Sequence, residues 1–481
     1  MTYYGATENP GMSWTVGSPS TSVATGFYQQ AIYGDLIGVN TDGKIVPQLA
    51  ESVTATDSFL KWTIKLKPNL KFSDGTPVNA AAVISDYQVD ANPATGGRCV
   101  TGMAGLASYT KVNNLTVQIT LKAPDSEFPL NLTNAYCLGE LASPTAYAKE
   151  GAAAFNNAPV GAGPYKLKSW VPNDEAVFVK NPQYWDAPRP YISTIIYKPV
   201  TDILQRANAF KAAGSSAAWC GCSVTSQYPT QFKAEGYEVQ SAPQWGGVAL
   251  GFNLKSVPAL QNVNVRRAFA MALDLNKLNT EAAEGEASMA TTVFPKNSPF
   301  YCKCGTFDEN NLAQAQKLIN AYTSVHGPIS ITFDVASAIT SWGDPVTQEL
   351  DQLKGVTINE QVQDGATTEA ELTSLNYQMI WTGASGADPE PNIYINFITG
   401  GTNNAGYSNP QMDAALEKGR SSQDLSVRKA AYDEVQKLWV QDVPDIPIYR
   451  PNSPTVVSKN VKGLAVYGPG FVNIATIWLA K

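Results

Sequence analysis

The sequence predicts an α/β protein of more than one domain, on two observations. At 481 residues the chain exceeds what one ordinary hydrophobic core organises, so two or three domains are expected. Short runs that alternate apolar and polar residues are interleaved with apolar positions at helical spacing behind a capping side chain. The composition narrows the class further. With 44% hydrophobic and 16% charged residues the chain is globular, and its net charge of −7 comes without any Lys/Arg cluster, which argues against a nucleic-acid partner. No apolar run reaches the roughly 18 to 20 residues of a membrane span. Met1 is not followed by the charged, apolar and cleavage regions of a signal peptide, so a leader is expected to be missing from the sequence as it stands.

The first 40 residues are rich in Gly, Ser, Thr and Tyr, which suggests short strands and loops. Trp62, Ile64 and Leu66 then alternate with Thr63 and Lys65 as a half-buried strand. Ser73 to Pro77 reads as a tight turn, and Asn79 as the N-cap of a helix over 80–88. Leu115, Val117, Ile119 and Leu121 mark another strand, and Ser143-Pro144 opens a helix running to Phe155. Residues 161–186 form a hairpin. Gly161, Gly163 and Pro164 turn into a strand through Tyr165, Leu167 and Ser169; Pro172-Asn173 turns again, and Ala176 to Lys180 returns to an aromatic end at Tyr184 and Trp185.

Beyond it, 192–199 reads as a strand and 202–213 as a helix. Asn264 is expected to cap a helix with Val265, Phe269, Ala272 and Leu273 on one face. Leu312, Ala315, Leu318 and Tyr322 predict a helix, followed by a strand through Ile329, Ile331, Phe333 and Val335, an αβ unit of a second lobe. A capped helix follows at 407–418, then one from Ser426 to Asp442, and residues 442–452 return as a strand.

Four blocks, in order, carry a family resemblance. They are PQLAES with FSDGTPV, the GAGPY hairpin, the stretch LGFNLKSVPALQNVNVRRAFAMALDLNKL (residues 250–278), and the Glu390-Pro391 segment. Together they resemble the family 5 extracellular solute-binding proteins, the oligopeptide- and dipeptide-binding subunits of ABC importers. The resemblance implies a type II periplasmic-binding-protein fold, two lobes with an extra small domain in the first and a ligand cleft between them that closes by hinge motion. It places the core of lobe I at 1–43, 161–247 and 446–481, the extra subdomain at 44–160, and lobe II at 248–445. It further implies a monomer that hands its solute to membrane permease subunits, in the periplasm or on the cell surface, where a lipid anchor outside the given sequence would hold it.

Catalytic motifs are lacking. There is one histidine, His326, beside Gly327-Pro328 in an expected loop, too little for a triad across several candidate sites. No phosphate loop, nucleophile elbow or zinc helix string occurs. Asp388 and Glu390 form a carboxylate pair of the kind a hydrolase uses, an alternative class beside a surface adhesin. The six cysteines include two C-x-C pairs, Cys220/Cys222 and Cys302/Cys304, read as disulfides of an oxidising compartment instead of a metal site, with Cys99–Cys137 expected as one bridge. No cofactor and no metal is expected.

The binding residues expected are Trp245, Gly246, Gly247, Trp381, Gly383, Ala384, Ser385 and Asp388. The two tryptophans sit in glycine-rich stretches read as loops, where the family places cleft walls, and the glycine backbones offer hydrogen bonds indifferent to ligand sequence. The family's peptide binders hold the ligand's ammonium on an aspartate three residues before an acidic-Pro pair. Counting back from Glu390-Pro391 gives Ala387, and Asp388 stands one position off. An uncharged sugar ligand is the alternative that this departure leaves open.

Overall fold

The computed structural model describes all residues except 7–22, 41–43, 93–98, 134–135, 222–226, 242–244, 387, 402–403, 451–452, 468–469 and 481. The chain divides into two compact units, the first made of 1–224, 228–243 and 452–481 and the second chiefly of 244–451.

Unit 1 holds a seven-stranded sheet in the order Glu238–Gln240, Thr455–Val457, Ala217–Cys220, Thr2–Gly5, Thr194–Pro199, Glu175–Lys180, Tyr165–Val171. The Thr2 strand is parallel to both neighbours, and the hairpin closes one edge in antiparallel register. The glycines of the GAGPY turn are there for room. A Cβ on Gly161 would lie 2.3 Å from the Ile32 carbonyl oxygen, and one on Gly163 would lie 2.5 Å from that of Ala31, so the turn lies flat on the helix Val23–Ile32. Asn181 Nδ2 donates to the Gly163 carbonyl at 2.8 Å, and the Lys67 ammonium sits 3.3 Å above the Trp185 ring.

Within unit 1, residues 50–121 add a four-stranded antiparallel sheet in the order Ala50–Thr56, Lys61–Leu66, Thr116–Leu121, Leu106–Asn113. Trp62, Ile64 and Leu66 are buried, as their alternation predicts, and Asn79 caps the helix Ala80–Asp90 by accepting from the Ala81 and Ala82 amides. Cys99 and Cys137 are disulfide-bonded inside this core. Cys220 is also disulfide-bonded; Cys222 lies outside the described residues.

Unit 2 is a six-stranded mixed sheet: Ser288–Met289, Asp445–Arg450, Trp245–Phe252, Met379–Gly386, Ile329–Ala336, Val356–Gln363. Asp445–Arg450, assigned from residue 446 to lobe I on sequence, is a strand of this sheet. The last three strands run parallel to one another and the others pair antiparallel. Its core takes in Val265 and Phe269 of the helix Val263–Ala272 and Val435, Leu438 and Trp439 of the helix Leu425–Asp442.

Three local expectations are corrected. The N-cap of Val263–Ala272 is Asn262, which accepts from the Asn264 amide. Asp424, not Ser426, caps Leu425–Asp442, accepting from the Ser426 and Val427 amides. His326 is not in a loop; it ends the helix Leu312–His326 with its ring stacked on Tyr322 one turn earlier. Among the described residues no helix is long and apolar enough to cross a membrane.

Candidate binding site on unit 2

The two glycine stretches, expected as separate loops, are neighbouring strands. Trp245 pairs with Gly386, Gly246 with Ser385, Gly247 with Ala384 and Val248 with Gly383, so residues 135 to 141 positions apart form one antiparallel ladder. Six of the eight expected binding residues (Trp245, Gly246, Gly247, Gly383, Ala384 and Ser385) are thus brought together by register alone.

The same geometry explains the glycines. A Cβ on Gly247 would stand 2.5 Å from the Tyr449 carbonyl oxygen, and one on Gly383 would stand 2.5 Å from that of Gly247. Gly246 has φ +69°, the left-handed region that favours glycine. Side chains are excluded at Gly247 and Gly383, so at these positions the ladder presents backbone.

On its other flank, Met379–Gly386 pairs with Ile329–Ala336 only at Met379 and Ile380. From Trp381 onwards that flank has no strand partner among the described residues. The Gly383 carbonyl accepts from Asn396 Nδ2 at 3.3 Å, a side-chain bond where a neighbouring strand would otherwise serve.

Trp381 and Asp388 depart from expectation. Trp381 is 7% exposed and its ring lies 5.5 Å from Phe333, so it is a core residue instead of an open wall. Its indole Nε1 is buried and has no hydrogen-bond partner among the described residues. Asp388 does not hold its carboxylate free. Arg428 forks onto it at 2.9 and 2.5 Å, and Asp388 Oδ1 also accepts from the Glu390 amide at 3.0 Å. Glu390 is fully buried, accepts from the Tyr432 hydroxyl at 2.8 Å, and has Arg420 at 3.9 Å. Burial first, and the Glu390 charge second, push the Tyr432 phenol well above its ordinary pKa, which keeps it the donor. The carboxylate pair considered for hydrolysis is therefore consumed by internal partners. Ala387 lies outside the described residues.

Sequence reasoning missed a group at the same end of the sheet. Tyr449 pairs with Val248, and its ring stacks on Trp342 at 4.2 Å and 17°. One residue on, Arg450 is 8% exposed; its Nη1 donates to the Met289 carbonyl at 2.9 Å and its Nη2 to that of Thr292 at 2.5 Å. Its only local signal is a cation closing the apolar strand DIPIYR.

The remaining C-x-C pair is closed as well. Cys302 and Cys304, with Asp433, have their ligand atoms within 4.8 Å of one another, the spacing of a metal cage, but the two sulfurs are bonded together as a disulfide.

A two-unit mixed α/β chain whose candidate site is a glycine-rich strand ladder, its nearby carboxylates spent on internal partners, has the make-up of a binding protein of the type II periplasmic class. The chain belongs to family 5 of the bacterial extracellular solute-binding proteins, whose model (described as the family 5 middle region) matches residues 44–406. It is 28% identical over 476 residues to the glutathione-binding protein GsiB of Pectobacterium atrosepticum, across 93% of this chain and 88% of that one. Among solved structures, the binding protein AgaA of A. tumefaciens in complex with agropinic acid superposes with a TM-score of 0.85 at 22% identity, over 100% of this chain and 99% of that one. A dipeptide-binding protein from a Pseudoalteromonas species in complex with Met-Leu gives 0.82 at 19%, with the same coverage. As a member of the family, the protein is an extracytoplasmic solute-binding component of an ABC importer and not an enzyme.

Proposed function

We propose that the solute is a short peptide, taken up in extended form along the free flank of the strand Met379–Gly386. The observation that carries this is the ladder itself: from Trp381 to Gly386 a strand continues beyond its neighbour, with a side chain excluded at Gly383. Strand addition uses main-chain hydrogen bonds, which every peptide offers whatever its sequence. On this reading Gly383, Ala384 and Ser385 supply backbone to the solute, Gly246 and Gly247 hold that strand from the neighbouring one, Trp245 stands at the ladder's end, and Trp381 backs the flank from the core. Asp388 acts as a positioning residue, fixing the strand's exit through Arg428 and not by meeting an ammonium. The relatives named for glutathione and solved with Met-Leu support the peptide class. The protein would work as a monomer that delivers to permease subunits, held at the membrane by an N-terminal lipid.

Native mass spectrometry of the protein as purified tests the class. A ladder of co-purifying masses resolving into short peptides is the expected result. A single hexose-spaced species would overturn it in favour of a sugar carrier.

A further inference from the structure

Two disulfides have both cysteines among the described residues, Cys99–Cys137 and Cys302–Cys304, and they differ in setting. Cys99 and Cys137 are 0% and 3% exposed within a core of unit 1, and their bridge spans 38 positions of chain. Cys302 and Cys304 are half-buried in unit 2, and their bridge spans only 2. What a disulfide adds to stability grows with the loop it closes, so the C-x-C bridge gains the least from chain entropy. It is also the one that a dithiol in solution can reach. A bridge so placed does little to hold the fold.

The helix Leu425–Asp442 holds the segment at three points. Lys429 Nζ donates to the Tyr301 carbonyl at 3.2 Å, Gln436 Nε2 donates to that of Phe300 at 2.9 Å, and Cys304 Sγ lies 3.5 Å from the Asp433 carbonyl oxygen. The same helix brings the Asp433 carboxylate to the sulfurs, so that all three ligand atoms lie within 4.8 Å of one another. Lys429 Nζ meets both oxygens of Asp433, at 2.8 and 2.9 Å. A carboxylate has about four lone-pair positions, so this ammonium leaves some for a metal ion. Cys302 Sγ accepts from the Cys304 amide at 3.1 Å, and the freed sulfur would keep that donor. Charge closes as well: two thiolates and one carboxylate are balanced by a divalent cation together with the Lys429 ammonium. Two sulfurs and one oxygen leave a fourth tetrahedral position to water, and thiolates select a thiophilic ion such as zinc.

We propose that Cys302, Cys304 and Asp433 form a redox-gated site for a thiophilic divalent cation, closed as the disulfide and opened by a dithiol. In the opening step the dithiol attacks one sulfur, passes through a mixed disulfide and closes its own S–S bond. The protein's bridge is reduced by two electrons, and the dithiol's two protons end on Cys302 and Cys304. The cation then binds the two thiolates and the carboxylate, and those two protons leave to solvent. The site lies within unit 2 alone and does not depend on what the solute is.

Isothermal titration with zinc of the full chain, before and after mild dithiothreitol treatment and removal of the reductant under nitrogen, tests the proposal. Alkylation and peptide mapping identify the thiols released, and those of Cys302 and Cys304 are expected before any from Cys99 or Cys137. The reduced chain is expected to take one zinc ion about a hundred-fold or more tighter than the oxidised chain, with proton release read from the buffer dependence of the heat. Asp433→Asn should weaken zinc binding to the reduced chain by about tenfold or more, and joint Cys302→Ser and Cys304→Ser should abolish the response to dithiol. Equal zinc affinity in the oxidised and reduced wild type overturns the proposal with no variant needed. Release of the Cys99 and Cys137 thiols first overturns the gate, and so does loss of the far-ultraviolet circular dichroism on reduction, which would make the bridge structural. Full affinity in reduced Asp433→Asn overturns the three-ligand site.

Discussion

Arg428 and Arg450 are both buried in unit 2, at 6% and 8% exposure, and they are opposite in circumstance. Arg428 is forked onto Asp388 and packed against the rings of Phe300 and Tyr432. Arg450 meets backbone carbonyls and the Thr292 hydroxyl. The charge that the sequence advertises, Asp388 beside the Glu390-Pro391 pair, is already neutralised inside the protein. The charge that meets no carboxylate among the described residues, Arg450, sits unannounced at the end of an apolar strand. Availability is a property of partners, and partners are set by the fold.

That contrast can be broken by mutation. Arg428→Met strands the Asp388 carboxylate in a mostly buried position, and a loss of about 3 kcal/mol in chemical denaturation is expected. Arg450→Gln orphans no acid among the described residues, so it should cost less than about 2 kcal/mol despite losing bonds to carbonyls. A larger loss for Arg450 than for Arg428 would mean that Arg450 is structural first.

The ladder can be challenged with a single methyl group. Gly383→Ala puts a Cβ 2.5 Å from the Gly247 carbonyl oxygen and should cost about 2 kcal/mol while opening the ladder. Gly365→Ala, where nothing lies within 4 Å of the added carbon, should stay within about 0.5 kcal/mol of wild type or gain slightly. Thermal melts of the two variants side by side would show whether steric exclusion is confined to the ladder.

A third acid sharpens the same lesson. Asp445 is buried with Trp439 Nε1 at 2.6 Å as its bonded partner, and burial raises its carboxyl pKa from 3.8 to about 7. The folded state holds this proton more tightly than the unfolded one. Its contribution is therefore full below the unfolded value and is lost as pH rises through the folded one. Asp445→Asn should remove a decline on the order of 4 kcal/mol between about pH 4 and pH 7, read as the difference between the two proteins' stability curves. Parallel curves would show that Asp445 stays ionised in the fold.

Much of the framework is legible locally. Trp62, Ile64 and Leu66 declare their strand by period, Asn79 its cap by chemistry, and the GAGPY hairpin by its turns. Caps at Asn262 and Asp424 are misplaced by two residues because a second capping residue stands close by in each case, and only backbone conformation chooses between them. The glycine stretches fail for a deeper reason. Glycine disfavours strands by propensity, and the reason for it here is a carbonyl supplied by a strand far away in sequence, so WGGVALGF and MIWTGASG read as loops until their register is known. Arg450 is invisible for the converse reason: no local pattern records which carboxylates fail to arrive.

Amide hydrogen exchange with and without a saturating dipeptide tests the ladder most directly. Added protection concentrated at residues 381–386 is predicted, since a strand laid along the flank converts solvent-bonded amides into ladder amides. A peptide that binds while those amides exchange at unchanged rates would contradict strand addition and move the site elsewhere.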